Sequence, residues 1–388
     1  MDKRIYLLTA IAFVVGMVEL LIGGILDLVS SDLSISLGRA GLLITVFALV
    51  FGLSGPVLMF FTRRFDPKKV IFCALLIFIF GDLLTILGQS YGVLIFSRII
   101  LAMSGALLTV LCLALAAHIA PPSQRGRAIG WVIMGISASL VLGLPLGVSL
   151  GHAFGWRSPF VFNAVLAALL VLIAPRYMGS ITIPDPAPFS AQLHALKNTQ
   201  VQFAHLTTFF FLAGHYTLYG FLTPFVISLL HFDGSFITLM YLSYGVAAVI
   251  GGGVAGLCTD RFSPRPTLII AIVLLFICLL LIPSSTHITA LFWLMLVLWG
   301  ILSWSISPPM QSHLIHIAPK TADIQQGLNV TALHLGIAFG SLVGSLVIDL
   351  TSIRYNAFVG AFIILLALGC ALISLRDPIA LSSSRTTS

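Results

Sequence analysis

Charge is what this chain has least of. Asp, Glu, Lys and Arg make up 8% of its 388 residues, where a soluble domain carries roughly 25%. That is too little to cover the surface of a water-soluble fold of this length. Glutamate is reduced to a single residue, Glu19. Cysteine is scarce as well. Cys73, Cys112, Cys258, Cys278 and Cys370 all fall in apolar runs, with no spacing that fits a metal site or a disulfide framework. No Gly-x-x-x-x-Gly-Lys phosphate cradle occurs, so ATP is not the direct energy source. There is no nucleophile elbow and no clustered zinc set, and the chain is read as no enzyme. The net charge of +7 is spread too thinly over short loops for a phosphate-binding surface, which excludes nucleic acid as a partner.

What is abundant is apolar sequence, at 59%. Its solvent is the bilayer. A crossing helix needs about 20 apolar residues. Runs of that length place spans near 5–28, 40–61, 69–88, 93–118, 127–152 and 158–177. A second set lies near 201–229, 236–258, 266–283, 290–316, 324–349 and 356–375. The first run follows Asp2-Lys3-Arg4 and is longer than a secretory signal core, so it is read as a retained helix.

Lysine and arginine set the orientation. With both termini cytoplasmic, inside segments hold 15 of them and outside segments hold only Arg39, Arg157 and Arg354, leaving Arg98 within a span. The longest polar interval, 179–200, carries Pro184, Pro186 and Pro188, which stop helices. It divides the chain into an N-terminal six-helix bundle (1–178), a cytoplasmic linker (179–200), a C-terminal six-helix bundle (201–376) and a cytoplasmic tail (377–388). The expected fold is an all-α membrane protein of 12 spans in two pseudo-symmetric halves around a central site.

Ionisable residues inside spans are costly and mark function. Glu19 lies near the middle of span one. At helical spacing it shares a face with Gly16, Gly23 and Asp27. It is the candidate proton carrier, with a static structural acid as the alternative. Asp27, Asp82 and Arg98 fall at one depth in spans one, three and four. Arg98 is expected to pair with Asp27 or Asp82, either as a conformational switch or as a fixed tie. Span five carries Gly143, Pro145 and Gly147 among small residues every fourth position, a close-packing signal.

In the second half, His215, Tyr216 and Tyr219 lie in span seven, Trp304 and Gln311 in span ten, and Gln325, Gln326 and Asn329 in span eleven. Rings stack on a flat heterocycle and amides read its edges, so these are candidate substrate contacts. Interhelical hydrogen bonding employs the same residue types. His205, His313, His316 and His334 are given no site role. His313-x-x-His316 is too small a set for a metal and reads as a solvated helix end.

The chain resembles the major facilitator superfamily in its drug:proton antiporter branch over roughly residues 5–376. The resemblance is carried by Arg98 in span four and by Gly143-Leu144-Pro145-Leu146-Gly147, with one leucine more than the antiporter motif between glycine and proline. It is carried also by Gly256-Leu257-Cys258-Thr259-Asp260-Arg261 in a second-half loop, and by the acids Glu19 and Asp27. The first-half copy of the loop motif departs from the pattern, with Arg63 where aspartate is expected and Met59 where glycine is expected.

A closer resemblance is to bacterial purine base and nucleoside efflux pumps and their arabinose-efflux-like relatives. It rests on Val18-Glu19-Leu20, on Ala213 to Tyr219, on Leu302-Ser303-Trp304-Ser305 and on Asp323-Ile324-Gln325-Gln326. It implies alternating-access export of purines or their analogues from a bacterial inner membrane. The drive it implies is proton entry without a cofactor, and the expected state is a monomer. Multidrug, sugar or amino-acid-derivative export by the same scaffold is the alternative; a non-transporting membrane sensor is a distant one.

Overall fold

The computed structural model describes residues 2–177 and 196–376. Most of the expected linker, with its three prolines, and the tail 377–388 lie outside the described residues. The described chain is helical, without a strand. Among the described residues eleven helices are each long and apolar enough to cross a bilayer, with mean hydropathy between 1.6 and 3.0, and a bent pair of helices makes a twelfth such segment. In the hydrocarbon every backbone N–H must bond within its own segment, so these runs have no alternative to helix.

Six helices form the first half: α1 (Lys3–Gly24), α2 (Leu37–Thr62), α3 (Pro67–Leu87), α4 (Tyr91–Ile119), α5 (Arg125–Phe154) and α6 (Ser158–Tyr177). The second half repeats the count. α7 runs Thr199–Tyr219 and then, bent by 42°, Leu222–Leu230. α8 (Gly234–Phe262), α9 (Pro264–Ser285), α10 (Thr289–Ile317), α11 (Ala322–Leu350) and α12 (Tyr355–Ser374) follow. Helix starts are capped by side chains beyond the apolar runs. Ser36, Ser90, Asn198 and Asp233 each accept from a backbone N–H of the first turn, and Asp66 does so just ahead of Pro67. α1 begins and α12 ends on one side, called here the terminus face; the other is the far face.

Besides the bent α7, three spans are less regular than their hydropathy suggests. α1 stops at Gly24, because Gly23-Gly24 weakens the helix and Ile25 leaves helical geometry (φ −125°, ψ 23°). The chain resumes as a short helix, Leu26–Asp32, which carries Asp27. The expected common face of Gly16, Glu19, Gly23 and Asp27 therefore ends before Asp27. α5 holds a π turn at Ser139–Gly143, just before Pro145, whose missing N–H breaks the hydrogen-bond ladder. α10 breaks between Trp304 and Ser307, ahead of Pro308-Pro309.

The halves touch on the far side and part toward the terminus face. At the far face Ser36 donates to Asp349 (3.3 Å). Deeper, Thr223 donates to the Gly24 carbonyl (3.0 Å), and Thr331 donates to the Gly52 carbonyl (3.1 Å). α5 meets α8 where a Cβ on Gly245 would lie 2.9 Å from both the Leu140 oxygen and the Val141 Cα, so only glycine permits that approach. Gly256 lies three turns further along the same face of α8 and has nothing within 4 Å. Gly327, two turns from His334 on α11, is equally open. The gap between the halves thus opens toward the terminus face.

Candidate functional site

Glu19 sits where the two halves meet. Its Oε1 is 3.3 Å from Nε2 of His334 on α11, and the side chains are 23% and 8% exposed respectively. Three contacts fix the histidine. Nδ1 lies 2.9 Å from the Val330 carbonyl, one turn back. The ring stacks on Phe51 of α2, with centroids 4.3 Å apart and planes at 19°. Gly52 admits the α11 backbone, since a Cβ there would come within 2.9 Å of the His334 Cβ. His334 is a mid-span ionisable residue, and the rule that selects Glu19 selects it too. Sequence spacing says nothing of the pairing, which joins helices from opposite halves.

Arg98 does not pair with Asp27 or Asp82. Among the described residues no carboxylate oxygen comes within 4.0 Å of its guanidinium. Nη2 instead donates to the Val18 carbonyl (3.2 Å), beside Glu19, and the guanidinium lies 4.3 Å from the centre of the Phe47 ring. The aromatic face offsets part of the cost of burying the cation. Nε and Nη1 are buried without a partner. Asp82, fully buried, accepts from Asn163 Nδ2 of α6 (2.9 Å), so an amide occupies the place expected for the arginine. Asp27 lies beyond the α1 break with Oδ1 buried and unpartnered.

The second half gathers rings around His215. Trp299 Nε1 donates to Nδ1 (3.0 Å), and an indole N–H only donates, so Nδ1 is the acceptor. Nε2 then carries the hydrogen and faces the Tyr244 hydroxyl at 3.4 Å. Tyr219 stacks on the imidazole at 5.0 Å, with Tyr216 edge-on at 5.2 Å. Tyr241 is edge-on to Tyr219 and shares a 3.0 Å hydrogen bond with Thr223. His215 is buried with both nitrogens engaged inside its own half. Tyr216 is half-buried, and the Tyr219 hydroxyl is buried without a partner.

Trp304, expected in this group, is absent from it. It follows Trp299 by five residues, about 140° further round the helix. Trp299, Tyr241 and Tyr244 are the rings that sequence reasoning missed; the Tyr241–Tyr244 spacing of three was the available signal.

The amides lie nearer the terminus face. Gln325 Oε1 meets His205 Nε2 at 2.8 Å, and Asn329 is buried one turn on with Oδ1 unpartnered. Gln326 donates to the backbone oxygen of Gln311, whose side chain is exposed. His313 is not a solvated helix end: it is buried and bonded to Ser374 (2.9 Å), which ties α10 to α12. Among the described residues no three potential metal ligands converge.

The Major Facilitator Superfamily model matches residues 8–322 and again 204–387. The chain belongs to the major facilitator superfamily. It is a membrane transporter and not an enzyme. Over 372 residues it is 34% identical to the uncharacterized MFS-type transporter YbcL of Bacillus subtilis, covering 95% of each chain. It is 27% identical to a probable sugar efflux transporter of Helicobacter acinonychis, over 94% of this chain and 93% of the relative. Among solved structures, a bacterial homolog of the human lysosomal transporter Spinster, in an inward-facing and occupied conformation, has a TM-score of 0.83 at 17% identity and covers 97% of both chains. A D-xylose–proton symporter has a TM-score of 0.78 at 16% identity, covering 96% of this chain and 97% of its own. These two show the fold.

In this superfamily fold, Gly143 and Gly147 let α5 close on α1. A Cβ at Gly143 would stand 3.3 Å from Met17, and one at Gly147 would collide with Leu21. The π turn ends at Gly143 and Pro145 lies between the two glycines, next to the level where α5 also meets α8. Of the loop-motif residues, Gly256 faces open space, and Asp260 and Arg261 are exposed on the terminus face.

Proposed function

We propose that this transporter exports small, flat polar molecules, purine bases and nucleosides first among them, in exchange for protons. The observation that carries the reading is Glu19. It is the only glutamate, lies mid-helix, is part-exposed, and stands between the halves that must move. A carboxyl group there can take and release a proton as access alternates. Arg98, bonded to the backbone beside it, senses that charge; Asp82 and Asp27 are the further acids of the same half. Tyr216, the unpartnered Tyr219 hydroxyl and the buried Asn329 oxygen supply ring faces and polar edges for a heterocycle. His215 and Trp299 hold those rings in place.

The excess of lysine and arginine on the terminus face makes that face cytoplasmic, with the protein a monomer in a bacterial plasma membrane. The gap then opens inward. The test is uptake of labelled hypoxanthine or adenosine into inverted vesicles, driven by an acid-inside proton gradient. Wild type concentrates the label. Glu19→Gln abolishes uphill movement and keeps exchange at equal concentrations. Normal uphill movement by Glu19→Gln refutes the coupling role. The names of the Helicobacter relatives favour a second reading, sugar efflux. Competition by arabinose or lactose, with none by adenosine, selects it.

A further inference from the structure

The contact between Glu19 and His334 has a property that depends only on hydrogen-bond chemistry. A carbonyl accepts and never donates, so the 2.9 Å contact from Val330 requires a hydrogen on Nδ1 of His334. When the imidazole is neutral, Nε2 therefore carries a lone pair. An ionised Glu19 facing it at 3.3 Å would set two acceptors against each other. The contact is attractive only when one more proton is present. That proton sits either on the carboxyl, which then donates to Nε2, or on Nε2, which then donates to the carboxylate. Phe51 favours the second form, because its ring face lies flat against the imidazolium.

We propose that one proton shared by Glu19 and His334 latches the two halves together in the conformation seen here, open toward the terminus face, and that its loss releases them. His334 is thus a second proton-coupling residue, on the opposite half from the first. The other charged and titratable groups that face the pair are Arg98 of α4 and Tyr216 of α7, both within electrostatic reach of Glu19, with Asp82 of α3 behind Arg98. Arg98 supplies the alternative partner: its Nε and Nη1 are buried and unbonded, and it is already held at the Val18 carbonyl. A deprotonated carboxylate leaves His334 and turns to that cation within its own half. The released proton passes to water in the gap. Glu19 then has two discrete positions, one bridging the halves and one not, which is what a two-state element requires.

The latch rests on the transport reading only for its link to export; its test reads conformation. Spin labels at Gln124 and Lys320, both exposed on the terminus face of opposite halves, report the gap in the full chain in nanodiscs, with the native cysteines replaced. Wild type should favour the long distance near pH 5 and move at least tenfold toward the short one near pH 9. Glu19→Gln donates to Nε2 without a titratable proton and should stay long at every pH. His334→Phe and His334→Ala should favour the short distance even at pH 5. Either histidine variant serves if the other does not fold.

A wild-type distribution that ignores pH overturns the latch, as does a shift of Glu19→Gln and the His334 variants in the same direction. If that happens while Glu19→Gln still abolishes uphill export, proton coupling stands without the latch. If the opposite shifts are seen but Glu19→Gln exports normally, the latch stands and the coupling role fails.

Discussion

Gly245 offers the sharpest test of how the halves close on the far side. Replacing it by alanine adds one methyl group. That carbon would lie 2.9 Å from the Leu140 oxygen, 2.9 Å from the Val141 Cα and 3.2 Å from the Leu140 carbonyl carbon. All three are backbone atoms of α5, which cannot rotate aside as a side chain can. Ordinary contact begins near 3.5 Å, so the helices must separate or bend. Overpacking of this kind costs about 1–3 kcal/mol. The strain exists only while α5 and α8 touch, so it falls on the conformation open to the terminus face and not on its opposite. Each 1.4 kcal/mol is a tenfold change in the ratio of the two states, which predicts a shift of roughly 5- to 150-fold. Labels at Gln89 and His287, exposed on the far face of opposite halves, measure it as a distance distribution. Gly253→Ala is the internal control, two turns along the same helix with nothing within 4 Å of the added carbon. It should leave the distribution unchanged. If Gly245→Ala also leaves it unchanged, or if both variants shift it equally, the close approach of α5 and α8 does not govern closure.

Three further outcomes follow from the geometry. Trp299→Phe removes the donor to Nδ1 of His215 and leaves a buried acceptor unpaired, so thermal unfolding in detergent should show a loss of about 1–3 kcal/mol. Tyr244→Phe removes only the 3.4 Å contact and should cost less. On the far face, Asp32 accepts from Trp156 (2.9 Å) and Arg157 (2.8 Å), and these bonds, the Trp156 one first, hold its carboxyl below the usual carboxylate range. Its stabilisation is therefore complete above the ordinary carboxylate value near 3.9 and is lost as pH falls through the lower folded value. The pair is exposed, so Asp32→Asn should cost under about 1 kcal/mol at pH 7, and the difference from wild type should shrink as acid protonates the carboxyl. A penalty that grows on acidification would contradict the assignment. Finally, Gly52→Val should separate α2 from α11 and disturb His334, reducing transport while Gly327→Ala, which meets nothing, leaves it intact.

Much of this molecule is written locally. Whether a stretch of twenty residues dissolves in hydrocarbon depends on those residues alone, so the number of spans, their order and the charge bias between loops are legible from sequence. Glu19 is legible for the same reason: a lone acid in an apolar run stands out wherever it lies. The breaks in α1, α7 and α10 were less so, because Gly-Gly or Pro-Pro weakens a helix without dictating where it bends. What only the tertiary structure decided is which side chains meet. Arg98 lies against Phe47 and a backbone carbonyl although sequence position puts two acids near its depth, because position along a helix does not fix which neighbours a side chain meets. Trp299 and not Trp304 joins His215, since five residues along a helix point to different neighbours. His334 reaches Glu19 only because α2 and α11 approach through Gly52. Helix formation is set by neighbours in the chain, whereas pairing across the halves is set by how two separately folded bundles are docked.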